Sequence, residues 1–137
     1  MKNEEFELYY QPVLTMGNGV ETESLNGFEA LLRWQTRDQG FIGPDTFIPV
    51  AESTGMILPL GEWVLNAACR QAKVWVDMGF PDIKIAINLS AKQFQQANIF
   101  DMILTAIREA GIGLHNVALE ITESMVMQNV HGSIEIL

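Results

Sequence analysis

An α/β fold built on a largely parallel sheet is predicted by three observations. Period-two hydrophobic segments alternate with helical ones, Gly and Pro mark the changes of period, and the strand bearing Ile83, Ile85 and Ile87 has a face apolar enough to need helices over it. Residues 5–14 alternate around Phe6, Leu8 and Tyr10, and Met16-Gly17-Asn18-Gly19 supplies positive-φ residues, predicting a strand and a tight turn. From Leu25 to Trp34 the period is again two: Phe28, Ala30, Leu32 and Trp34 share one face, Glu29, Leu31 and Arg33 the other. The short connection makes this second strand antiparallel to the first. Pro44 opens a helix and Gly55 stops it, with Pro49 expected to break it into two short turns.

A long amphipathic helix is predicted from Leu60 to Met78, where Trp63, Val64, Ala67, Gln71, Val74, Trp75 and Met78 recur at spacings of three and four before Gly79 and Pro81. Ile83, Ile85, Ile87 and Leu89 mark a strand with Lys84, Ala86 and Asn88 on its other face. Asn98 and Asp101 can cap a further helix ending at Gly111. Val117, Leu119 and Ile121 form a short strand, and Ser124–Leu137 is compatible with a helix weakened by Gly132. Strands whose apolar faces carry helices turn Glu29, Asn88 and Glu120 the other way. If the sheet curls, the three converge inside it near the strand carboxyl ends, where such folds bind ligands.

The composition narrows the possibilities. The 137 residues carry 8 Lys+Arg against 17 Asp+Glu, a formal net charge of -9, with 48% hydrophobic residues. That balance describes one globular unit and disfavours nucleic-acid binding, because a negative surface repels phosphate backbones. Cys69 is the single cysteine, so an intramolecular disulfide framework and Cys-based zinc sites are excluded and a reducing compartment is expected. No apolar run approaches the ~18 residues of a membrane span, and the acidic MKNEEFELYY start is unlike a signal peptide, which together predict a cytoplasmic location, either alone or as the cytoplasmic part of a larger membrane-anchored or multidomain signalling protein. A closed eight-stranded α/β barrel takes about 250 residues, so this length accommodates only part of one.

A carboxylate between aliphatic neighbours on a strand is costly unless paired, hydrogen-bonded or bound to a cation. Three strands presenting Glu29, Asn88 and Glu120 offer oxygen ligands only, the preference of Mg²⁺, Mn²⁺ or Ca²⁺, whereas zinc would call for His or Cys. Arg33 lies on the Glu29 face and can hold a phosphate, and a hard cation beside an arginine suits phosphoryl chemistry. Taken singly, each residue has a plainer reading: Glu29 as a half-exposed strand carboxylate, Asn88 as a strand-end cap, Arg33 as a solvated charge, Gln11 as a partner for backbone near Pro12. Cys69 reads as a small buried hydrophobe, and His115 and His131 have no partners at ligand spacing.

The segment GFEALLRW, residues 27–34, contains Glu29-Ala30-Leu31 and resembles the signature block of the EAL family of bacterial cyclic di-GMP phosphodiesterases. YYQPVL (9–14), FIGPDTFIPVAESTGMI (41–57), INLSAKQF (87–94) and LEITES (119–124) resemble that family's successive blocks, in order. The resemblance implies a modified (β/α)8 TIM-like barrel with an antiparallel first strand, of which residues 1–137 form the N-terminal portion, roughly its first half. It implies hydrolysis of one phosphodiester of cyclic di-GMP to linear pGpG with two Mg²⁺ or Mn²⁺ ions. Glu29, Asn88 and Glu120 match metal ligands, Leu31 and Arg33 match substrate contacts, Gln11 approaches the ligand, and Glu123 steadies a catalytic loop.

The family's Asp-Asp-Phe-Gly-Thr-Gly loop has no counterpart here, no Asp-Asp pair occurs in the 137 residues, and the last lysine is Lys92. The isolated chain is therefore expected to be an inefficient phosphodiesterase, with an unpaired sheet edge or a helix face open to a homo-oligomer. The alternative within the same resemblance is a module that binds cyclic di-GMP without turnover. A different metal-dependent barrel, such as an enolase-like lyase, finds no matching blocks.

Overall fold

The computed structural model describes residues 5–16, 23–122 and 125. Strands β1 (Phe6–Met16) and β2 (Glu23–Thr36) pair antiparallel, with Tyr10 opposite Ala30 and Gln11 opposite Glu29. A short strand, β3 (Gly40–Ile42), folds back on the end of β2. Helices α1 (Pro44–Thr54) and α2 (Ile57–Asp77) then carry the chain to β4 (Lys84–Asn88), which lies parallel to β2. A four-residue helix, α3 (Ala91–Phe94), and α4 (Ile99–Ala110) lead through a 3-10 turn at Leu114–Asn116 to β5 (Val117–Glu120), parallel to β4. The sheet order is β1-β2-β4-β5, with β3 on β2. The antiparallel first pair and the parallel continuation follow the sequence expectation.

The core lies between the sheet and α2 and α4. Ile85 and Ile87 are 0% and 1% exposed, and Ala30, Leu65, Ala68, Cys69, Ile103 and Ile107 close around them. Burying each isoleucine contributes roughly 1.5–3 kcal/mol. Trp75 fastens the first two strands to α2, stacking on Phe28 at 4.4 Å between ring centroids and meeting Tyr10 edge-on at 5.2 Å. At the opposite end of the strands, the buried Asn116 amide donates to the Pro81 and Ile83 carbonyls at 2.9 and 2.7 Å and accepts from the Gly113 N–H. It thereby ties the turn before β5 to the loop before β4. Gly27 is required where β2 meets β4, since a Cβ there would fall on the Lys84 carbonyl.

Four expectations are corrected. Pro49 does not divide α1, which is continuous from Pro44 to Thr54. Proline at this position forfeits a bond to the Asp45 carbonyl, and Asp45 is exposed in the first turn, where solvent has access to it. The fully buried stripe of α2 is Ile57, Leu60, Gly61, Leu65, Ala68, Cys69 and Ala72; of the stripe that the large side chains suggested, Val64 and Trp75 pack partly buried against the core. Small residues allow the helix to approach the sheet closely, while Val74 and Met78 remain exposed. Asn98 stands at the N-cap of α4 without a side-chain cap bond. The elements β3 and α3 were not anticipated. The Ser90-x-x-Gln93 capping signature marks α3, and the Thr36 hydroxyl, accepting from Gln39 N–H and donating to the Gly40 carbonyl, marks the β2–β3 turn. The expected turn at 16–19 and the expected helix at 124–137 lie, apart from Met16 and Met125, outside the described residues.

Candidate functional site

The two-residue period of the strands assembles the site. Gln11 stands opposite Glu29 in the β1–β2 ladder, Glu29 opposite Ala86 in the β2–β4 ladder, and Asn88 opposite Glu120 in the β4–β5 ladder. Residues paired across a ladder project to the same face. Gln11, Glu29, Leu31, Arg33, Asn88 and Glu120 therefore share the side of the sheet that faces away from α2 and α4. Ala86 and Ala118 lie between them on that face, each contributing only a methyl group. Asn88 and Glu120 are the last residues of β4 and β5, so this polar group sits at the carboxyl ends of the parallel strands. Asn88 and Glu120 are exposed and Glu29 is half-buried, so the cluster is more open than the burial argument from sequence anticipated.

Within the cluster the Asn88 Nδ2 donates to Glu29 Oε2 at 2.9 Å. The Glu120 pKa is raised, first by loss of solvent and then by the charge of Glu29. Glu29 and Glu120 thus feel one another across the width of β4. Among the described residues no Lys or Arg forms an ion pair with either; the recorded pairs are Lys73–Asp77 and the long contact of His115 with Asp82. No group of three His, Cys, Asp or Glu side chains placed to hold a metal ion occurs among the described residues, so the donor set here is two carboxylates and an amide. Two uncompensated carboxylates with a neutral oxygen donor beside them fit a hard divalent cation.

Arg33 is held by π-faces, with its Cζ 4.4 Å from the Tyr9 ring centroid and 5.4 Å from that of Phe41. Both aromatic rings are half exposed, and neither was singled out from sequence, although Tyr9 alternates with Gln11 on the polar face of β1. A cation clamped between rings keeps its N–H groups for an anion. A cleft of about 610 Å³ adjoins the cluster through Asn88 and is lined also by Leu31, Arg33, Ile57, Val64 and Gln93. Its size is that of a small-molecule site. Glu123 lies outside the described residues. Cys69 is fully buried, and burial pushes its thiol up to about 11, which agrees with an inert core role.

The strand order and the oxygen-rich cluster at the strand ends define part of an α/β barrel of the kind that binds anionic ligands at its carboxyl-terminal face. Residues 1–137 match the EAL domain family, and the chain belongs to that family. It is 41% identical over its full length to MucR of Pseudomonas aeruginosa, a bifunctional diguanylate cyclase/cyclic di-GMP phosphodiesterase, and 35% identical over its full length to the cyclic di-GMP phosphodiesterase NbdA of the same organism. The chain spans 19% and 17% of those proteins. The structure of the PaMucR phosphodiesterase in complex with c-di-GMP superposes with a TM-score of 0.89 at 41% identity, covering 99% of this chain and 53% of that one. The fold is accordingly about half of an EAL barrel. No helix among the described residues is long and apolar enough to cross a membrane.

Proposed function

We propose that this chain is the N-terminal portion of an EAL-type cyclic di-GMP phosphodiesterase domain. The observation that carries the reading is the meeting of Glu29, Asn88 and Glu120, from three strands, in one oxygen-rich cluster beside Arg33. Glu29, Asn88 and Glu120 would hold Mg²⁺ or Mn²⁺, which supplies Lewis-acid stabilisation of charge on a phosphodiester and an acidified water. The Asn88 amide fixes the Glu29 carboxylate through its N–H, leaving its own oxygen as a donor. Arg33, preset by Tyr9 and Phe41, would bind a phosphate of the substrate, while Leu31 and Gln11 border it. Glu123 would steady a loop beside the site. The apolar side of the cleft would take a purine.

A second reading is favoured by the donor count. Two carboxylates and one amide suffice for a single cation, whereas in-line displacement with two ions needs further oxygen ligands, and the 137 residues contain no Asp-Asp pair. On this reading the isolated chain binds cyclic di-GMP with little turnover, and the edge of β5, unpaired among the described residues, or a helix face engages a second copy. Incubation with cyclic di-GMP and Mg²⁺ or Mn²⁺, with pGpG followed by chromatography and nucleotide binding measured in parallel, separates the two. Metal-dependent binding is expected in both cases, with slow turnover by the isolated chain. Absence of binding would defeat the assignment.

A further inference from the structure

Gln93 lines the cleft, is 7% exposed, and has a role that no ligand-spacing argument suggests. Its amide orientation is set by chemistry: Oε1 accepts from the Ser90 backbone N–H at 3.0 Å, completing the capping box of α3. The two hydrogens on Nε2 therefore point away from that bond, and they have no acceptor among the described residues. The amide rests against α2 at Gly61, itself part of the cleft wall, where a Cβ would fall on it. The residue as a whole is buried, but Nε2 itself is still reached by solvent, so its donor pair, without a protein partner, is open to an acceptor on a ligand bound in the cleft.

We propose that Gln93 is a specificity-determining residue of the cleft, donating from Nε2 to an acceptor edge of a bound purine. This inference rests on the cyclic dinucleotide reading above. Because Oε1 is committed to Ser90, the residue presents donors only. Guanine offers two acceptors, N7 and O6, along its Hoogsteen edge, whereas adenine offers N7 beside the N6 amino donor. A donor-only amide therefore favours guanine. Gly61 is the accommodating half of the device, since any side chain there would displace the amide.

The test titrates the 137-residue chain in Mg²⁺ buffer with cyclic di-GMP and, separately, with cyclic di-AMP, with the nucleotides verified intact by chromatography after each titration. Gln93→Glu keeps an acceptor for Ser90 and replaces the donor pair with an acceptor. It is expected to weaken cyclic di-GMP binding about tenfold while leaving cyclic di-AMP unchanged or tighter. Gly61→Ala, which disturbs the amide from outside, should lower the same preference and serves if the first variant does not fold. Folded variants that bind both nucleotides as the wild type does, or that lose both equally, would overturn the proposal while leaving the cyclic di-GMP reading intact. A wild-type chain that binds neither nucleotide would overturn that reading and this inference with it.

Discussion

The two faces of the β2-β4-β5 sheet are built from alternate residues of the same strands, yet they obey opposite rules. On one face Ala30, Ile85 and Ile87 are dry and closed over by helices. On the other, Glu29, Asn88 and Glu120 are half-buried or exposed and leave like charges facing one another. The first face is optimised for folding. The second keeps an electrostatic conflict that a cation would resolve, which is how a binding site differs from a surface relaxed for stability. Because successive residues of a strand point to opposite faces, each face can be altered with little effect on the other.

The largest expected effects lie on the dry face, at Ile85, and in the close β2–β4 pairing at Gly27. Gly27→Ala places a methyl on the Lys84 carbonyl and should open the β2–β4 pairing, seen as loss of a cooperative urea transition. Ile85→Ala should destabilise by about 2–5 kcal/mol in urea unfolding, because the surroundings cannot collapse fully into the cavity. Either result would be blunted if the face were less tightly packed than described.

On the wet face the expected effect is on binding. Glu29→Ala should weaken Mn²⁺ binding by about tenfold to a hundredfold by analogy with the loss of supporting groups at metal sites, with stability changed by only about 0.5 kcal/mol. Calorimetric titration beside thermal unfolding would show whether the two effects separate. A large stability loss without a change in metal affinity would erase the distinction between the faces.

The smallest expected effect is a pH dependence. The Glu120 pKa is higher in the folded chain, so the folded state retains its proton to higher pH than the unfolded state. The contribution of Glu120 to stability without metal should therefore be greatest below the unfolded carboxylate pKa and fall as pH rises through the window up to the folded value. Glu120→Gln should flatten that fall, measured as urea midpoints in EDTA across the acid range. A midpoint profile identical to the wild type would remove Glu120 from the conflict.

Much of this was legible in the sequence because strands have a period of two. Once Ile85 and Ile87 were assigned to the helices, Asn88 had to face the other way, and the same logic placed Glu29 and Glu120. Helices were less transparent. The bulk of Trp63 and Val74 drew the predicted stripe of α2 away from Ala68, Cys69 and Ala72, whose small size matters only against a neighbouring surface. Pro49 read as a break because its effect depends on whether the deprived carbonyl meets water. Gln93 was invisible for a related reason: its significance comes from Gly61, brought to it by tertiary packing.

The central claim is tested most directly by paramagnetic broadening in the two-dimensional ¹H–¹⁵N spectrum during titration with substoichiometric Mn²⁺. Amide signals of Glu29, Ala86, Asn88 and Glu120 should broaden together and first, and Glu29→Ala should abolish the effect. Broadening that begins instead at Asp77 or Glu109, or that survives Glu29→Ala unchanged, would contradict a shared cation site on this face of the sheet.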